Sequence, residues 1–190
     1  MLLFISTNIV YAIMLTITIP KVMSFSEGMK LLDMMPAGYS AEYVNTLLST
    51  LGEAGRNAYL LKQIPVDMVY PYLFAISYCL LFAYFLDKLG KLESHLFYFC
   101  LLPLFSSLFD YCENIGIIAI LNSYPNNSNL LTQITNVFSI LKSSITTIYF
   151  VSLLVCLTAV GKRKLIRTRK WKTWTTRNPS PATSEETHAD

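Results

Sequence analysis

The stretch LFYFCLLPLFSSLFDYCENIGIIAIL (Leu96–Leu121) decides how this chain folds. It is longer than the about 20 mostly apolar residues that cross a hydrocarbon layer roughly 30 Å thick at about 1.5 Å per residue. Yet it carries two carboxylates, Asp110 and Glu113. Spaced i and i+3, with Asn114 at i+4, the three polar side chains share one helix face. That face cannot meet lipid, so the stretch predicts a spanning helix that has neighbours.

Working outward, three more stretches have the same length and apolarity: Leu2–Ile19, Val66–Leu86 and Ile134–Val160. Of the 190 residues 53% are hydrophobic and 14% charged, and the mean hydropathy is +0.44. One soluble core of this size could not hide that much apolar surface. The expected fold is all-α, an integral membrane four-helix bundle over residues 1–161 with spans at about 2–19, 66–86, 96–121 and 134–160. Residues 21–65 form an external amphipathic helical segment, and residues 162–190 a basic, mostly disordered cytoplasmic tail. The first stretch lacks a basic leader and a small-residue cleavage site before Pro20 and Lys21, so it reads as a span rather than a secretory signal. Cys79, Cys100, Cys112 and Cys156 all fall within expected spans, which argues against a disulfide framework and against a zinc site.

Basic residues flanking spans are retained on the cytoplasmic side. After Gly161 eight basic side chains face three acidic ones, net +5, against a chain total of +3. An internal C-terminus and four spans put the N-terminus inside as well. The short turn with Lys88 and Lys91 then lies inside, and the uncharged loop 122–133 outside. In the long external segment Lys21, Lys30, Arg56 and Lys62 are balanced by Glu27, Asp33, Glu42 and Glu53. There Tyr43, Val44, Leu47, Leu48 and Leu51 share one face of an amphipathic helix that Gly52 and Gly55 should end or bend. A second short helix from Arg56 to Ile64 would run into Pro65. The segment is either a lid over the outer mouth or a helix resting in the headgroups.

Ionisable side chains inside spans usually face the bundle interior, pair, and mark function. Glu113 and Lys142 each lie about nine residues, roughly 13 Å, below the outer ends of spans three and four. A Glu113–Lys142 or Asp110–Lys142 ion pair is therefore expected, with Ser139, Ser143 and Thr146 continuing a polar stripe beside Lys142. Two acids against one base leave an excess carboxylate, suited to carrying a proton or binding a cation. The plainer alternative is a staple that fixes how the two helices pack. Asp67, near the start of span two, would cap that helix. No phosphate-binding Gly-rich loop, Gly-x-Ser-x-Gly elbow or His-Glu-x-x-His is present, and His95 and His188 are the only histidines. No metal and no cofactor is expected. Trp171 and Trp174 within the basic run point to adsorption on anionic headgroups rather than nucleic-acid binding.

The strings Leu51–Asp67 with Tyr70-Pro71, Phe109–Asn114 and Phe138–Lys142 resemble a family of uncharacterised bacterial four-helix integral membrane proteins. The resemblance covers residues 51–160. It implies that Arg56, Tyr59, Asp67, Asp110, Glu113, Asn114 and Lys142 form one ligand- or ion-binding site, and that the chain sits in a bacterial inner membrane. A likeness to sterol isomerase-like membrane domains is one of architecture only. The expected function is a small-ligand, ion or proton binding or transport module. A homo-oligomer would suit transport, since four helices alone make a narrow conduit. The alternatives are a membrane enzyme acting on a lipid-like substrate and a structural or signalling membrane subunit.

Overall fold

The computed structural model describes the backbone of residues 1–177 and the side chains of residues 1–166. Among these residues every element is helical, and four helices are long and apolar enough to cross a membrane. They are α1 (Leu2–Met23), α2 (Ala41–Ala58), which runs on into α3 (Ile64–Lys88), α4 (Leu102–Ser123) and α5 (Asn129–Arg177). A 3-10 turn, His95–Leu101, leads into α4. The fourth helix starts before the expected residue 134 and continues past 160 through the basic run to Arg177. Residues 162–177, expected to belong to a mostly disordered tail, are therefore helical; residues 178–190 lie outside the described part.

Prolines shape two of the helices in the same way. A proline gives no N–H to the turn before it. In Thr18-Ile19-Pro20 and in Gln63-Ile64-Pro65 the chain answers with a widened π-turn that ends two residues earlier, at Met14–Thr18 and Tyr59–Gln63. The two widened turns face each other, and the Thr18 hydroxyl donates to Gln63 Oε1. Because the second one joins α2 to α3 without a break, Ala41–Lys88 is one helical run bent at Gly52.

Gly52 has φ 61° and ψ −175°, a conformation essentially restricted to glycine. It turns α2 so that the apolar face foreseen from the sequence, Val44, Leu47, Leu48 and Leu51, is buried against protein rather than left for headgroups. That face belongs to one apolar cluster with Val22, Leu31, Tyr59, Ile64, Ile117 and Ile120. Each fully buried leucine there contributes about 1.5–3 kcal/mol. Gly52→Ala should lower stability by about 1–2 kcal/mol, measured by thermal denaturation in detergent; an unchanged melting temperature would mean the bend tolerates a side chain.

The helix pairs are α4 on α5, α3 on α4, and α1 on α3, with a smaller α3–α5 contact. At the far end from α2 a second apolar cluster, Phe82, Leu86, Cys100, Tyr149, Leu153 and Cys156, closes the bundle. Tyr149 donates its hydroxyl to the Tyr78 carbonyl (2.7 Å), so this buried phenol is satisfied. The four cysteines are free.

Candidate functional site

The charged side chains of α4 and α5 meet where those helices pack. Lys142 Nζ lies 3.1 Å from Asp110 Oδ1 and also pairs with Glu113 Oε2. One ammonium thus answers two carboxylates one helical turn apart. Glu113 and Asn114 have no exposed surface, and Asp110 is buried. Ser106 and Thr146 join hydroxyls (2.6 Å) across the same interface. Ser139 places its hydroxyl beside Glu113 and donates to the Met35 carbonyl (3.4 Å). With Asn136, whose Oδ1 accepts the Tyr39 N–H (2.8 Å), it ties the α1–α2 connection to α5. The Tyr39 phenol is shut in under this connection, and burial, reinforced by the nearby Glu113 carboxylate, holds its pKa well above the ordinary value.

Asn114 has a role that its spacing alone does not reveal. Pro71 lies inside α3 and has no N–H to give to the Asp67 carbonyl four residues earlier. Asn114 Nδ2 reaches across from α4 and donates to that carbonyl (3.5 Å). Asp67 itself does not cap α3, contrary to expectation: no capping hydrogen bond is made at this helix start. The reason is that α3 continues directly from the widened turn, so its first N–H groups are not left waiting for a side chain. Asp67 is 3% exposed, and among the described residues its Oδ2 has no hydrogen-bond partner.

Asp33, from the α1–α2 connection, joins this group although its sequence context gives no sign of it. Tyr59 donates to its Oδ1 (2.7 Å) and Gln63 Nε2 to its Oδ2 (3.1 Å). Both donors come from the widened turn before Pro65, and Thr18 of the matching turn in α1 holds Gln63 in place. Tyr59 is fully buried, so its whole polar capacity goes to Asp33. Tyr59→Phe should therefore cost about 1.5–3 kcal/mol, the range for a hydrogen bond to a charged group. A thermal melt beside Tyr59→Trp, which also loses the cradle, would check this; no loss in the phenylalanine variant would remove Tyr59 from the cradle.

Arg56 goes elsewhere. Its guanidinium donates to the Leu48 carbonyl (2.7 Å), four residues before the bend at Gly52, and stacks 4.3 Å over the Tyr124 ring. It braces α2 rather than joining the acidic residues.

A cavity of about 540 Å³ lies between α1 and α5, floored by α3 and α4. Asp33, Asp67, Asp110 and Lys142 line one end of it. Phe74, Tyr78 and Phe150 line the other, with Tyr70 between the two. Of the seven residues singled out from the sequence, Asp67, Asp110 and Lys142 reach this cavity; Glu113 and Asn114 stand directly behind them, Tyr59 acts through Asp33, and Arg56 is apart. Among the described residues no three His, Cys, Asp or Glu side chains come together as a metal-holding group. Comparison with known protein families, curated proteins and solved structures finds no match to the chain.

Proposed function

We propose that the chain is a bacterial inner-membrane protein with both termini in the cytoplasm, and that it binds a small ligand, an ion or a proton at the acidic end of its cavity. The membrane setting is supported by large apolar residues on the outward faces of all four long helices, such as Ile17, Leu80, Leu108 and Leu154. The observation that carries the ligand reading is Asp67. An unpartnered buried carboxylate oxygen is costly to keep without a partner, and the residue that carries this one lines a cavity of the size that ligands fill.

Within this reading the charged group divides into two functions. The Asp110–Lys142–Glu113 triad fastens α4 to α5, which is the staple role, and Asp67 and Asp33 are the binding groups. An enzyme that uses Lys142 to stabilise developing negative charge is less well supported, because that ammonium already serves two carboxylates.

The test is a stability screen of the purified protein against alkali cations, small amines and polar headgroup compounds, wild type beside Asp67→Asn. A true ligand at a hundred times its Kd should stabilise the wild type by about 2.7 kcal/mol and the variant hardly at all. If nothing in the screen, pH included, separates the two proteins, the carboxylate is not a binding group.

A further inference from the structure

The cavity has a shape and a polarity gradient that narrow the class of ligand. α1 packs on α3 but not along α5, so the long side of the cavity between α1 and α5 is left without a wall. Tyr11 and Leu15 on α1 and Phe150 on α5 rim that side, and each is substantially exposed. In a bilayer such an opening faces acyl chains, not water.

Polarity falls along the length of the cavity. Asp67 and Tyr78 both line it, and their separation of eleven positions along α3 corresponds to about 16 Å. At the Asp67 end carboxylates outnumber the single ammonium, which Asp110 and Glu113 already engage. Among the described residues Asp33 is held by the neutral donors Tyr59 and Gln63, and Asp67 Oδ2 has no hydrogen bond. At the other end Phe74, Tyr78 and Phe150 pack ring to ring. Polar groups there are engaged within the protein: Thr7 shares a hydrogen bond of 2.8 Å with Ser77, and Asn8 and Thr147 donate to the Phe4 and Ser143 carbonyls. An anion would be repelled from the first end. A bare metal ion would leave the second empty and would find no three-ligand group among the described residues.

We propose that the cavity takes a single-chain amphiphile with a cationic amine headgroup, the amine at Asp67 and the chain along Phe74 and Phe150, entering sideways from the bilayer between α1 and α5. This rests on the ligand-binding membrane reading above. The amine pairs with the Asp67 carboxylate, which lines the cavity, and supplies the cation that the surplus carboxylates lack. Tyr70, between the two ends, adds an aromatic face for the head, and the aromatic end receives the chain.

The experiment uses the full chain in phosphatidylcholine nanodiscs and dodecylamine carrying a photoactivatable diazirine midway along its chain. Labelling should map to the facing sides of α1 and α5. It should fall at least tenfold in Asp67→Asn, and unlabelled dodecylamine should protect at least tenfold better than laurate or ethylamine. Thr147→Trp puts bulk across the open side at an exposed position and should also lower labelling, with the melting temperature unchanged. Equal protection by laurate overturns the cationic head, and equal protection by ethylamine overturns the amphiphile; in both cases the Asp67 pocket stands. Unchanged labelling in Thr147→Trp overturns sideways entry. Labelling that misses the cavity, or that is indifferent to Asp67→Asn, overturns the ligand-binding reading as well.

Discussion

Lys142→Met should destabilise the protein by about 3–5 kcal/mol, the cost of breaking a buried ion pair by removing one partner. Lys142 is the cation shared by Asp110 and Glu113, and Glu113 has no exposed surface at all. Without it two carboxylates one turn apart on α4 would lie side by side with no cation between them. Glu113→Gln should cost far less, because Asp110 keeps its ammonium and the charges then balance. The triple variant Lys142→Met, Asp110→Asn, Glu113→Gln should recover most of the loss, since neutral groups of similar shape often replace a buried ionic set without penalty. The sign with pH follows from the charges: the deficit of Lys142→Met should shrink as the pH falls and the stranded carboxyls take up protons. Thermal denaturation in one detergent across the pH range would measure all of this. A Lys142→Met protein as stable as the wild type at neutral pH would mean that the triad does not hold α4 to α5.

Gly116→Val should cost about 3 kcal/mol, at the upper end for overpacking a close-packed site. Gly116 is buried on α4 at the main helix contact of the molecule, and any Cβ there would run into the Thr135 side chain of α5. Thr135 is itself buried, and its hydroxyl donates to the Leu131 carbonyl (2.8 Å), so it is not free to swing aside. Gly116→Ala should show a smaller loss of the same sign. Pairing it with Thr135→Ala should restore part of the stability, because two of the three clashing atoms disappear with that change. Strictly additive losses in the double variant would show that the close approach of α4 and α5 lies elsewhere.

The two results would read different properties of one interface. The triad sets its polar specificity, and the glycine sets how closely the backbones approach. Asp110 and Lys142 can line the cavity only if both hold.

Much of this was legible in the sequence because it depends on residues near one another along the chain. Four apolar runs of spanning length correspond to four long apolar helices. The i, i+3, i+4 spacing of Asp110, Glu113 and Asn114 gave them a common face, and all three are buried. The apolar stripe of α2 and a bend at Gly52 were likewise visible from period and composition. Helix ends were less so: Pro65 looked like the start of a span, whereas a widened turn lets α2 run straight into α3. Asp33 was invisible for a different reason. A lone acid in a charge-balanced connection looks solvated until Tyr59 and Gln63, some thirty residues away, close on it.

What the sequence determined by itself, then, is the set of helices and which side of each is polar, since both follow from the 3.6-residue period and the length needed to bury apolar side chains. Only the tertiary structure decided which polar sides meet. Asn114 answers Asp67 because Pro71 removed a backbone donor on another helix, and Arg56 turns to Leu48 because Gly52 bends α2. The cavity exists because α1 leans on α3 and does not pack along α5. Each of these depends on where a second helix lies, and side-chain periodicity within one helix carries no information about that.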